Sequence, residues 1–144
     1  VTQQIYENQE DFHNERRLAD ILSTKWKCEM LRQKKLSQFD FVAYRDKKPL
    51  AFVEFRKRKE KFDDYPTMIV SLTKLLAWHS CKAVTGLPCF FVVEWFDRIG
   101  YTDFENFVIH GHFEISSKTN NRRNSYDDQE IIAFLPTNQF KMLT

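Results

Sequence analysis

Apolar residues recur between positions 6 and 24 at Tyr6, Phe12, Leu18, Ala19, Ile21 and Leu22, among charged residues whose acids gather in the first half. That spacing predicts an amphipathic helix, and acids near its start suit the helix dipole. From Trp26 to Leu31 the alternation is loose. Gln38–Tyr44 and Leu50–Arg56 read as two strands rich in β-formers, joined through the charged turn Arg45-Asp46-Lys47-Lys48-Pro49. Pro66 before it and Gly86 and Pro88 after it bracket a second helix over Thr67–Val84. Met68, Ile69, Leu72, Leu75, Leu76 and Ala83 form its apolar stripe, and Ser71, Lys74, Trp78 and Lys82 a second one.

Cys89–Trp95 is a nearly continuous apolar run, the pattern of a central strand covered on both faces. After Gly100, aromatic and polar residues alternate through Ile115. A polar loop, Ser116–Asn124, precedes a short last strand over Ile131–Leu135. The order predicts an α/β fold: helix, three strands, helix, strand (αβββαβ), then a β-rich tail, giving a mixed sheet flanked by helices.

Composition narrows this picture. The 144 residues fit one domain, 1–144, and 15% aromatic content with 14 Phe and few Gly or Pro argues for a packed core over low-complexity sequence. Three cysteines, Cys28, Cys81 and Cys89, are an odd number without short paired spacing, which disfavours a disulfide framework and a closed zinc site. With no apolar run of membrane-spanning length and no leader-like start, the expected location is the cytoplasm, away from membranes. The net charge of +2 hides a block: residues 25–61 hold 13 Lys/Arg against 5 Asp/Glu. Such asymmetry suits a polyanion, although a solvated basic face has the same composition.

The candidate chemistry lies inside that block. If the two strands pair across the turn, positions whose numbers sum to about 94–96 stand opposite one another, so Asp40 faces Glu54 or Phe55. Side chains alternate along a strand, which puts Glu54 and Arg56 on one face and Val53, Phe55 and Lys57 on the other. Two acids side by side require a cation, a proton or a metal. Arg56 alone can meet that need as a surface ion pair. A hard divalent ion, magnesium or manganese, is the competing answer and the favoured one, since carboxylate oxygens and waters suit such ions.

The run Gln38-Phe-Asp40-Phe-Val-Ala-Tyr followed by Leu50-Ala-Phe-Val-Glu54-Phe-Arg56 resembles the PD-(D/E)XK nuclease superfamily, in which an acid on one strand precedes Glu-x-Lys on the next. Tyr65-Pro66-Thr67 leading to Lys74, Gly86–Trp95, and Arg123–Glu130 running to Leu135-Pro136 are similar to small phage-encoded members. The resemblance implies a restriction-endonuclease-like core and Mg2+- or Mn2+-dependent hydrolysis of DNA. It implies Asp40, Glu54 and the Phe55 carbonyl as metal ligands, with Glu15 as an additional helical one. Arg56 stands where the family has Lys; a guanidinium cannot act as a general base but can stabilise charge on the phosphate. Lys74, on the second helix, can bring an ammonium to the same pocket or merely reach for solvent. Lys57, Arg58, Lys59 and Lys61 are expected to contact the nucleic-acid backbone.

Other signals carry less. His79 reads as a packed core histidine; His110 and His112 share a strand face without a third ligand; Cys81 reads as a buried thiol and Glu94 as a solvated strand end. The Phe-rich strands read as core. Two rivals to a metal-dependent nuclease stay open: an inactive nuclease-fold protein that only binds nucleic acid, and a phage structural or interaction protein. DNA against RNA, endo- against exonuclease action and a homo-oligomeric state also stay open.

Overall fold

A computed structural model describes residues 2–33, 39–117 and 129–143. Helix α1 (Thr2–Trp26) is followed by strands β1 (Glu29–Arg32), β2 (Phe41–Arg45) and β3 (Lys48–Lys57). A 3-10 turn, Phe62–Asp64, leads to β4 (Thr67–Ser71), α2 (Leu72–Thr85) and β5 (Cys89–Glu94). The tail holds β6 (Ile99–Asp103), the short helix α3 (Glu105–Ile109), β7 (His112–Ser117), β8 (Gln129–Pro136) and β9 (Lys141–Met142).

Six strands form the main sheet in the order β1-β2-β3-β5-β6-β9; β3 and β5 run parallel and the other pairs antiparallel. A parallel pair needs a crossover, and β4 with α2 supplies it. Helix α1 covers one face, where Leu18, Ala19 and Leu22 share a core with Phe41, Val53, Phe55 and Val92. On the other face α2 and α3 pack with a small antiparallel sheet, β4-β8-β7. That core includes Leu75, Trp78, Phe91, Val93, Trp95, Phe104, Phe107 and Leu135. Each such side chain, fully buried, contributes about 1.5–3 kcal/mol, so the aromatics serve packing, as expected. Sheet order agrees with the predicted αβββαβ succession, and β5 is central.

The expected helix over Thr67–Val84 needs correction. Thr67–Ser71 is strand, because Met68 and Val70 alternate inward with Thr67 and Ile69 between them, and β8 pairs with the whole stretch from Thr67 against Pro136 to Ser71 against Ile132. The helix starts only at Leu72, where the Ser71 hydroxyl accepts the Lys74 amide N–H, a side-chain cap. It ends as predicted at Gly86, whose φ of 71° is left-handed. The true register buries Leu75 and Trp78 and leaves Leu76, Ala83 and His79 exposed. His79 is therefore no core histidine, and Trp78 belongs to the apolar side.

In the tail, α3 interrupts the expected alternation, which places His110 at its C-cap and only His112 on β7. Gly111 permits the turn between them, since a Cβ there would come within 2.4 Å of the Phe107 and Phe134 carbonyl oxygens. β7 extends to Ser117, past the predicted start of the polar loop. The rest of that loop, Gln38, and the Arg123–Asp128 part of the tail motif lie outside the described residues, as do the side chains of Tyr6 and Phe12.

Candidate active site

The β2–β3 hairpin builds the site. Asp46 and Lys47, both with positive φ (52° and 64°), form its two-residue turn, matching the twist of the flanking strands. Next to the turn, Arg45 pairs with Lys48 and Tyr44 with Pro49. A bulge between Ala43 and Tyr44 then shifts the register by one, so that Ala43 pairs with Ala51 and Phe41 with Val53. The ladder stops there, and Asp40, the residue before Phe41, donates its N–H to the Val53 carbonyl, which keeps it beside Glu54 at the end of the hairpin. A one-residue slip exchanges the faces of every side chain, so the bulge sets which face each paired residue of β2 shares with β3.

Two hydrogen bonds fix Asp40: its N–H donates to the Val53 carbonyl at 3.1 Å, and its Oδ2 accepts the Phe55 N–H at 2.9 Å. The Phe55 main chain thus faces the edge of β3 just past the start of β2, and its carbonyl lies on the same edge. Glu54, on β3, is buried and sits beside Lys74 of α2, with Nζ 3.1 Å from Oε2. The Lys74 ammonium also lies over the Phe39 ring, 5.6 Å from its centroid. Lys74 therefore belongs to the pocket and does not simply reach for solvent.

Burial pushes the Glu54 carboxyl up to about 7, the Asp40 charge adding to the rise and Lys74 and then Arg56 opposing it. Burial also raises Asp40, against the Phe55 N–H and the charges of Lys74, Arg32 and Arg56. Two acids forced upward together are the mark of a site that gains by receiving positive charge. Arg56 is exposed on the Glu54 face and acts on both carboxylates through space.

Glu15 on α1 is bound by Arg32, at 2.5 Å, and Arg32 in turn acts on Asp40. Glu15 thus reaches the pair through a cation; among the described residues no set of three His, Cys, Asp or Glu is grouped to hold an ion. Lys57 points to the α1 face as expected, its Nζ 3.4 Å from Asn14 Oδ1. Lys59 and Arg58 line a groove of about 580 Å³ with Glu94, Trp95 and Phe96, and Lys61 is exposed beside the 3-10 turn. Glu94 is a correction: it is ion-paired with Arg17 of α1 and only 14% exposed, where a solvated strand end was expected. Arg17, Arg32 and Phe39 went unread in the sequence because each acts across the fold, with no local pattern to mark it.

A family model described as "Phage putative PDDEXK endonuclease" matches residues 1–143. The chain belongs to this family. The resemblance drawn from Asp40, Glu54 and their flanks is thereby borne out, and the mixed α/β core is of the restriction-endonuclease-like class. No curated protein matches the sequence. Among solved structures, the chain is similar to Hjc, a Holliday junction resolvase from the archaeal hyperthermophile Archaeoglobus fulgidus. The two share 13% identity at a TM-score of 0.48, over 78% of this chain and 76% of that one. No helix among the described residues is long and apolar enough to cross a membrane.

Proposed function

We propose that this PD-(D/E)XK protein hydrolyses DNA phosphodiester bonds with magnesium or manganese, and that Asp40, Glu54 and Lys74 carry the reaction. The observation behind this reading is the pairing of half-buried Asp40 with buried Glu54, the Lys74 ammonium lying 3.1 Å from Glu54. The donor set fits a hard divalent ion: two carboxylates that burial holds above their ordinary range, plus the Phe55 carbonyl on the same strand edge. Asp40, Glu54 and Phe55 would hold the ion, with Glu15 contributing through water. Bound there, the ion supplies charge that lowers the pKa of a water and offsets charge on the phosphoryl oxygens.

The protein's own groups do the rest. The Phe55 N–H fixes one Asp40 oxygen and leaves the other for a ligand. Lys74 faces Glu54, where an ammonium can hold the attacking water in line and stabilise the charge that builds on the phosphate. This gives Lys74 the part that the strand lysine plays in the family motif and explains why Arg56 is tolerated two residues after Glu54. The partner is nucleic acid, with DNA the proposed substrate. Supercoiled plasmid, single-stranded DNA and RNA should be incubated with magnesium, with manganese and with chelator. Cleavage of DNA only in the metal arms is expected; DNA cut equally well in chelator sinks the reading.

One observation favours a rival. The ion pair from Lys74 already neutralises Glu54, as it would in a DNA-binding protein that has lost catalysis. Thermal melting separates the two: millimolar manganese, the range of weak oxygen-ligand sites, should raise the melting temperature of an active site by mass action and leave a decayed one unmoved.

A further inference from the structure

A second cavity, of about 330 Å³, opens beside the carboxylate pocket, between the end of β3 and the small sheet. Its polar walls are Arg56, Arg58, Ser71 and Glu130, and its apolar walls Ile69, Val70 and Ile132. Arg56 follows Glu54 on the same face of β3 and Arg58 lies one residue past the strand's end, roughly 7 and 13 Å farther along the chain at 3.3 Å per residue. Ser71 caps the helix that carries Lys74. The cavity and the carboxylate pocket therefore share both a strand face and a helix start.

Two guanidiniums in one half-enclosed space repel each other. Burial and the Arg56 charge both work against the Arg58 cation, with Glu60 offsetting only part. Arg58 Nε is buried and has no hydrogen-bond partner among the described residues; the nearest carboxylate oxygen, on Glu60, is 3.9 Å away. A buried donor of this kind destabilises the fold unless a ligand satisfies it. Glu130 is the acid among the described lining residues, so the two cations outnumber it. What suits the cavity is an anion with several acceptor oxygens, and a phosphodiester matches the planar fork of arginine.

We propose that the Arg56–Arg58 cavity holds the DNA phosphate next to the one being cut, on the side where the strand runs from Glu54 toward the small sheet. This rests on the reading of the chain as a DNA nuclease and adds a requirement to it: the substrate must continue past the scissile bond on that side. Arg56 then positions the substrate, and Lys74 is the cation at the chemistry.

The test is a scan with duplexes carrying one methylphosphonate, a phosphate without charge, placed in turn at each position around the cut site. Affinity is read by fluorescence anisotropy in calcium for the wild type and for Arg58→Gln, with a thermal melt to verify folding. For the wild type, one position beside the cut should weaken binding about tenfold, and in Arg58→Gln that same position should cost almost nothing, the non-additivity expected of groups in contact. Arg58→Lys, which keeps the charge without the fork, should fall between them and serves if the Gln variant fails to fold. Equal penalties in wild type and variants at every position overturn the subsite while cleavage of DNA still stands. Coupling without any cleavage in magnesium or manganese upholds the subsite and refutes the nuclease reading; absence of DNA binding refutes both.

Discussion

On the face of β3 that meets α1, Val53 and Phe55 share a core with Leu18 and Leu22, and the charges at its rim are matched. Arg17 pairs with Glu94, Arg32 with Glu15, and Lys57 meets Asn14. On the opposite face of the same strand, like charges stand together: Asp40 with Glu54, then Arg56 with Arg58. One face has complementary partners within the chain. The other sets like charges near one another and offsets them only in part, Lys74 meeting Glu54 and Glu60 lying 3.9 Å from Arg58. On the function proposed above, a divalent cation would relieve the first repulsion and a phosphate the second, which makes this less fully matched face the expected ligand face.

The largest contrast should come from removing charge on the ligand face. Asp40→Asn and Glu54→Gln are expected to lower single-turnover DNA cleavage by about a thousandfold or more, with far-UV circular dichroism unchanged, since each keeps volume and loses a donor charge. Either variant cutting at the wild-type rate would remove the pair from the reaction. Lys74→Met should cost somewhat less, roughly a hundredfold in rate, because it removes a charge from the transition state without touching the carboxylates. If instead Lys74→Met weakens DNA binding and spares the single-turnover rate, its role is in affinity.

A third expectation concerns stability without metal. Burial pushes Glu54 up to about 7 in the folded chain, from an ordinary value of 4.5. The folded state thus holds the proton more tightly; the stability this confers is full below pH 4.5 and is lost as pH rises through 7. In chelator, urea unfolding should show the wild type losing roughly 2–3 kcal/mol over that window relative to Glu54→Gln. Parallel pH curves for the two proteins would contradict the burial of this carboxylate. The smallest effect belongs to the matched face: Arg17→Ala should destabilise by about 1 kcal/mol, as expected for a half-exposed pair, and leave the cleavage rate unaltered. A rate loss there would erase the difference between the two faces.

Much of the site could be read locally because a hairpin is a local object. Asp40 and Glu54 are 14 positions apart, and the period of two, the charged turn and the β-rich flanks suffice to set them together. The faces of Arg56 and Lys57 follow from the same alternation, and Gly86 marks the end of α2 by its own backbone preference. The bulge at Ala43 and Tyr44 was invisible, yet the anticipated register range already contained its result.

What the sequence alone determined, then, is the hairpin, its acids, the central apolar strand and the family to which they belong. Tertiary structure decided the remainder. Thr67–Ser71 carries a pattern open to either period, and only pairing with β8, more than 60 residues away, makes it a strand. That choice shifts the start of α2 to Leu72 and turns Lys74 toward Glu54. Glu94 meets Arg17, and Arg58 lines a cavity with Ser71 and Glu130, by the same long-range folding. Periodicity records what a residue's neighbours in the chain require, whereas which distant surface comes to cover it depends on the burial of the whole core.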